Sequence, residues 1–211
     1  MNGLLYKDFI NLKQTFKIYC LVTLVWALIF IPDGNYSIFG LLMVMMSTLV
    51  ITTLSLDDLA KWDGYALTMP VNRKEVVYSK YLLLLFLDVI GAVTALIIGL
   101  IGVYMGFFNL LETLFTLVAV LMIALIFGST MLPLIYRFGT EKARIMIMLV
   151  GGGFAGFVLA ASLLVTPQMV NVLAEYLNHP IIIVASGAVL TALYVFTSLK
   201  ISIKLYVRRD F

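Results

Sequence analysis

Polar and apolar positions follow one another along this chain in long blocks. Apolar runs of membrane-crossing length recur six times, at about 16–31, 38–54, 81–104, 113–135, 145–165 and 181–199. A hydrocarbon core of about 30 Å needs roughly 20 apolar residues per helical crossing, so each run predicts one transmembrane helix. Polar punctuation separates them. Pro32, Asp33, Gly34 and Asn35 form a turn cluster after the first run. Residues 57–81 are the longest polar segment, 106–112 a short loop and 136–144 a second charged loop. Residues 166–180 form a moderately polar connection that reads as a short helix or a re-entrant hairpin. Ahead of the first run, Leu4, Leu5, Phe9, Ile10 and Leu12 alternate with Lys7, Asp8, Asn11 and Lys13, the pattern of a helix lying on a membrane surface. The expected fold class is all-α. It is a polytopic membrane protein of six transmembrane helices with an amino-terminal interfacial helix, forming a single domain over 1–211.

Composition excludes a soluble domain. Of 211 residues, 63% are hydrophobic and 12% charged, with mean hydropathy +1.11, whereas soluble chains carry about 25% charged residues. The single cysteine, Cys20, rules out an internal disulfide framework or a thiolate metal cluster and reads as a buried packing thiol. No small-residue cleavage site follows the first apolar run, so that run reads as retained. Charge adds an orientation. With six crossings, all 14 Lys and Arg residues fall on one face. They are Lys7, Lys13 and Lys17; Lys61, Arg73, Lys74 and Lys80; Arg137, Lys142 and Arg144; and Lys200, Lys204, Arg208 and Arg209. The opposite face has Asp33, Glu112, Glu175 and His179. Cytoplasmic loops are enriched in Lys and Arg, which places both termini and the two charged loops in the cytoplasm.

Candidate chemistry is sparse. One histidine, no HExxH and no GxxxxGK[ST] phosphate loop leave no catalytic or metal-binding set. The run Gly151-Gly152-Gly153 lacks the following lysine and lies inside an apolar block, so ATP, if used, is bound by another chain. No nucleic-acid partner is expected. Asp88 is the one acid well inside a crossing, eight residues past Lys80, or roughly 12 Å along a helix. Such acids face a cavity or a partner. Asp88 reads either as a pathway or relay residue, or as an acid that reaches the interface or pairs with a basic group. Gly91, Ala95 and Gly99, like Gly152 and Gly156, recur four apart, a spacing that lets helices approach closely, either within the chain or between two copies. In 57–81, Asp57 and Asp58 open a short helix, and Trp62, Tyr65, Leu67 and Met69 offer an apolar surface. Pro70 ends that piece, and Asn72 caps a second helix with Glu75 in its first turn. That second helix runs straight into the third crossing, so the segment reads as a cytoplasmic coupling helix, or else as a solvated loop with interfacial aromatics.

The run Thr68-Met69-Pro70-Val71-Asn72-Arg73-Lys74-Glu75-Val76-Val77-Tyr78-Ser79-Lys80-Tyr81 resembles the "LPVSRKEIVLSKY"-like stretch that follows the second span of bacterial ABC-2 type permeases. Met69 and Asn72 depart from it conservatively. The six-span layout is similar along nearly the whole chain, and within the family it looks most like the small permeases of peptide exporters, including those for phenol-soluble modulins. The resemblance implies a multi-pass permease of the bacterial cell membrane that works as a pair of permeases with a separate ATPase, which holds ATP and Mg. It implies ATPase contacts at the amino-terminal helix and at Asp57, Asp58, Trp62, Asp63, Tyr65, Met69, Pro70, Arg73, Lys74 and Glu75. A smaller contact is implied at Arg137, Glu141, Lys142 and Arg144. Its cargo would be an amphipathic peptide or a lipid-like molecule drawn from or passed through membrane lipid. Two other readings stand beside it: a proton-coupled secondary transporter using Asp88, and a non-transporting membrane scaffold or immunity protein. The orientation is directly testable. A topology reporter fused at Lys142 or after Val207 should read as cytoplasmic, and one at Asp33 as external; a reversed signal at either basic site breaks the six-crossing count.

Overall fold

A computed structural model of the chain describes residues 2–66, 72–140, 142, 145 and 180–207. Its elements in chain order are α1 (Asn2–Phe30), α2 (Ser37–Leu59), the short α3 (Trp62–Ala66), α4 (Arg73–Tyr104), α5 (Leu110–Phe138) and α6 (Pro180–Val207). No strand occurs among the described residues, as the all-α expectation required. Five of these helices are long and apolar enough to cross a membrane. The expected crossing at 145–165, with Gly152 and Gly156, falls outside the described residues, as do Met69, Pro70, Glu141, Arg144 and nearly all of the connection at 166–180.

Three boundaries differ from expectation, each for a physical reason. The amino-terminal segment is not a separate interfacial helix: α1 runs unbroken from Asn2 to Phe30. No proline and no glycine beyond Gly3 interrupts it, and Leu4, Asp8 and Leu12, one turn apart, point into the bundle. Asp57 and Asp58 do not open a new helix. They complete the last turn of α2, which ends at Leu59, and the short helix begins only at Trp62. Carboxylates at a helix C-terminus oppose its dipole, so α2 can extend this far only with cations close by. Cys20 is exposed rather than buried, because α1 buries a narrow seam that passes through its neighbour Tyr19.

α2 lies at the centre, with Ile38, Phe39, Leu42, Met43 and Met46 completely buried. It packs on α1, α4 and α5, and α6 lies against α4 and α5. Turn chemistry sets the connections. Asn35 Oδ1 accepts from the Ser37 N–H at 2.9 Å beside Gly34 at φ +62°. Asn109 Oδ1 accepts from the Leu111 N–H at 3.0 Å and opens α5, and Gly139, at φ +80°, ends it. Small residues on α4 and α5 serve packing inside the chain. A Cβ on Gly91 would stand 3.1 Å from Met46 Cγ of α2, and one on Gly99 would stand 2.6 Å from Thr113 Cγ2 and 3.3 Å from Phe39 Cζ. Gly128 gives the same close approach to Leu84. Filling such a contact forces helices apart at a cost of about 1–3 kcal/mol. Gly99→Val should therefore lower the melting temperature of the purified protein by several degrees, whereas Gly40→Ala, inside α2 where a Cβ meets nothing, should leave it unchanged or raise it slightly, since alanine favours helix.

Candidate functional site

The start of α1, the acidic end of α2 and the start of α4 meet around a buried lysine. On α4, Val76, Lys80 and Leu84 follow one another at helical spacing and all are buried, so the Lys80 side chain enters the bundle where an apolar residue would stand. Asp8 occupies the same kind of position on α1, between Leu4 and Leu12. Lys80 Nζ lies 2.9 Å from both carboxylate oxygens of Asp8, 2.7 Å from Asp57 Oδ2 on α2 and 3.3 Å from Thr53 Oγ1. Lys7 donates to Asp57 Oδ1 and lies 3.5 Å from Asp8 Oδ1. Two cations and two anions thus alternate in one neutral cluster. Lys80 is 2% exposed, Asp8 1% and Asp57 8%. Burying an ion costs several kcal/mol unless its partners are placed well; here the three N–H donors of Lys80 are shared among four oxygens within 3.3 Å, three from two carboxylates and one from a hydroxyl. These lysines are the cations that the acidic end of α2 requires.

The cluster is joined to the surface. Lys7 Nζ lies 4.1 Å from the centre of the Trp62 ring, a cation–π contact, and Trp62 packs against Tyr65 with ring centres 5.4 Å apart. The short α3, which also carries Asp63, is thereby attached to the charged ends of the three long helices, and Tyr65 remains exposed. The start of α4 is held in two ways. Glu75 Oε2 accepts from the Asn72 N–H at 3.3 Å, as the expected cap requires, and Arg73 Nη1 donates to the Val207 carbonyl of α6 at 2.9 Å. Lys74 is exposed. Asp58 Oδ2 accepts from the Thr140 N–H at 3.3 Å, which ties the end of α2 to the second charged loop. Between them is a cleft of about 410 Å³ lined by Ser55, Asp58, Leu59, Phe138, Gly139, Thr140 and Lys142. Arg137 stands 5.1 Å from the Phe138 ring at the same end.

The described members of both sequence-derived groups therefore gather at one end of the bundle. Asp57 is turned inward to lysines, not outward to a partner. The centre of the arrangement, Lys80 with Asp8, Lys7 and Thr53, was not among the candidates, because loop charges read as solvated. Its signal was present: Leu4–Asp8–Leu12 and Val76–Lys80–Leu84 put charges on apolar seams. Asp88 sits apart, fully buried on α4. Ser47 Oγ lies 2.6 Å from its Oδ1, and Asp88 neither reaches the interface nor makes an ion pair among the described residues.

A bundle of five helices long and apolar enough to cross a membrane, joined at one end by buried ion pairs, is a polytopic helical membrane protein. A family model described as "ABC-2 family transporter protein" matches residues 3–207, and the chain belongs to that family. No curated protein and no solved structure matches it significantly. Membership makes it the membrane component of a transporter and implies an ABC ATPase as partner.

The network yields its own test. Lys80→Met leaves two buried carboxylates facing one lysine, and breaking a buried pair costs about 3–5 kcal/mol. The variant should melt well below the parent protein. Adding Asp8→Asn removes the excess charge and should recover a large part of that loss; two losses that simply add would show that the residues do not interact.

Proposed function

We propose that this chain is the permease subunit of an ATP-driven exporter, which moves an amphipathic peptide or a lipid-like hydrophobic cargo out of the cell. In this reading the basic end faces the cytoplasm of a bacterial cell, a separate ATPase subunit there holds ATP and Mg and performs the hydrolysis, and two permease copies or homologues form the path. Family membership supports the transport role. The observation that carries the coupling is the Trp62–Lys7 contact, because Lys7 belongs to the cluster that joins α1, α2 and α4.

A force applied to α3 reaches Trp62 first. It passes to Lys7 and then, through Asp57 and Asp8, to Lys80 and the long α4. Buried ion pairs transmit displacement well because any stretch exposes charge to a medium of low dielectric. The Asn72–Glu75 cap keeps the first turn of α4 helical, so a push at its start moves the whole rod. Cargo class is argued from the bundle's wall. α4, α5 and α6 enclose a groove of about 560 Å³ lined by Leu85, Val118, Leu121, Met122, Val195 and Phe196 among others. Such a surface suits an apolar or amphipathic solute held against lipid and offers nothing to a hydrated ion.

The expected result is that the chain, purified from its native membrane, brings an ATPase with it, and that Trp62→Ala combined with Tyr65→Ala weakens the association or uncouples hydrolysis from transport. Transport by the pure chain without nucleotide would instead identify a secondary transporter. Absence of both a partner ATPase and transport would identify a scaffold.

A further inference from the structure

The three buried acids of the bundle are not alike. Asp8 and Asp57 each lie against Lys7 and Lys80. Asp88 is just as buried and makes no ion pair among the described residues. Its carboxyl lies where α2, α4 and α5 meet. On one side Gly91 of α4 approaches Met46 of α2, and on the other Leu84 of α4 fills the space beside Gly128 of α5. Its Oδ2 is buried and has no hydrogen-bond partner among the described residues.

A count of hydrogens locates a proton. Ser47 Oγ lies 2.6 Å from Asp88 Oδ1, 3.2 Å from the Met43 carbonyl and 3.3 Å from the Ala124 carbonyl of α5. A hydroxyl has one hydrogen and two acceptor lone pairs. Were Asp88 ionised, three acceptors would surround that one hydrogen, and a carboxylate would be buried with one oxygen bare. A proton on Asp88 Oδ1 resolves both conflicts. The acid O–H donates to Ser47 Oγ, and Ser47 passes its own hydrogen to a carbonyl of α2 or α5. Oδ2 is then the unpaired carbonyl oxygen of a neutral acid, at about 1–3 kcal/mol, which is far less than an unpaired buried charge costs.

Among the described residues, nothing nearby offsets that charge. The ionisable side chains of the surrounding helices lie elsewhere along them. On α2 these are Asp57 and Asp58 at its far end; on α5, Glu112, Tyr136 and Arg137 at its two ends. On α1, Lys7 and Asp8 belong to the cluster, Lys13 and Lys17 are exposed, and Tyr19 bonds to Thr94. On α6, Tyr194 meets Thr130, Lys200 stands 4.4 Å from the Phe196 ring and Lys204 is exposed in the last turn. On α4 itself, Lys80 and Tyr81 are about two turns away and occupied by other partners.

We infer that Asp88 is a proton-binding site: it is protonated while α2, α4 and α5 are packed together, and it releases that proton to water when the three helices part. The step is a simple transfer, in which the Asp88 O–H bond breaks, a water takes the proton and the carboxylate is hydrated; closure reverses it. Helix separation and one proton are thereby linked, whatever the cargo and whatever drives the movement.

The test is infrared spectroscopy of the full chain in lipid nanodiscs at neutral pH, with and without 13C-labelled aspartate. The parent protein should show the C=O stretch of a protonated carboxylic acid, shifted by the label. Asp88→Asn, which keeps the shape and neutrality of the protonated acid, should lose that band, and Ser47→Ala should move its frequency. A spectrum of the labelled parent with no protonated-acid band overturns the inference. So does a band that survives in Asp88→Asn. The labelled parent is decisive even if the variant does not fold.

Discussion

The Lys80 ammonium is the constraint on which the rest of the bundle depends. An ion in an apolar interior is stable only where its counter-ions are held, and those of Lys80 come from two other helices: Asp8 on α1 and Asp57 on α2. If α1 slips by one turn, or α2 ends one turn earlier, a charge is left bare. The cluster therefore sets the register of three helices at once, which apolar packing does weakly because one leucine can replace another. It also explains how α2 carries two carboxylates in its last turn and why Lys7 stands over Trp62.

The opposite end is closed by different means. Tyr36 donates to Glu112 Oε2 at 2.9 Å and accepts from the Asn109 N–H at 3.1 Å. The Tyr36 and Phe108 rings lie 4.9 Å apart, and Phe39 lies 5.7 Å from Phe108. Gly102 leaves the room that Phe108 occupies. Only the Tyr36 hydrogen bonds, exposed in part, can be exchanged for bonds to water; the ring contacts are held by burial. The bundle thus has one end bound by charge and one closed by rings and a single carboxylate, with glycine contacts and the Asp88–Ser47 pair between them.

This division suits a transporter of the ABC-2 family. A rigid end can receive displacement, a middle built on small-residue contacts can separate, and a ring-closed end can open. The chain's charge asymmetry lines up with it, since the strongly held end is also the basic one. Trp62 and Tyr65 lie over the ion cluster at that end, and under the proposed coupling they receive the displacement that the cluster passes on.

Much of this was legible in the residue pattern. Block length alone specified the helices of the five described crossings, because a crossing needs a minimum apolar span. The positions of Lys and Arg gave the bundle a basic end, and Asn72 with Glu75 marked the start of α4. The spacings Leu4–Asp8–Leu12 and Val76–Lys80–Leu84 put two charges on apolar seams, a signal passed over when the charges are read as interfacial and loop residues. It did not show that they meet. Period is a property of one helix, whereas pairing depends on how helices from distant parts of the chain are set side by side. That arrangement alone turned a surface-like Asp57 inward, joined the amino-terminal segment to α1 by burying its apolar face, and left Asp88 with a serine and no lysine.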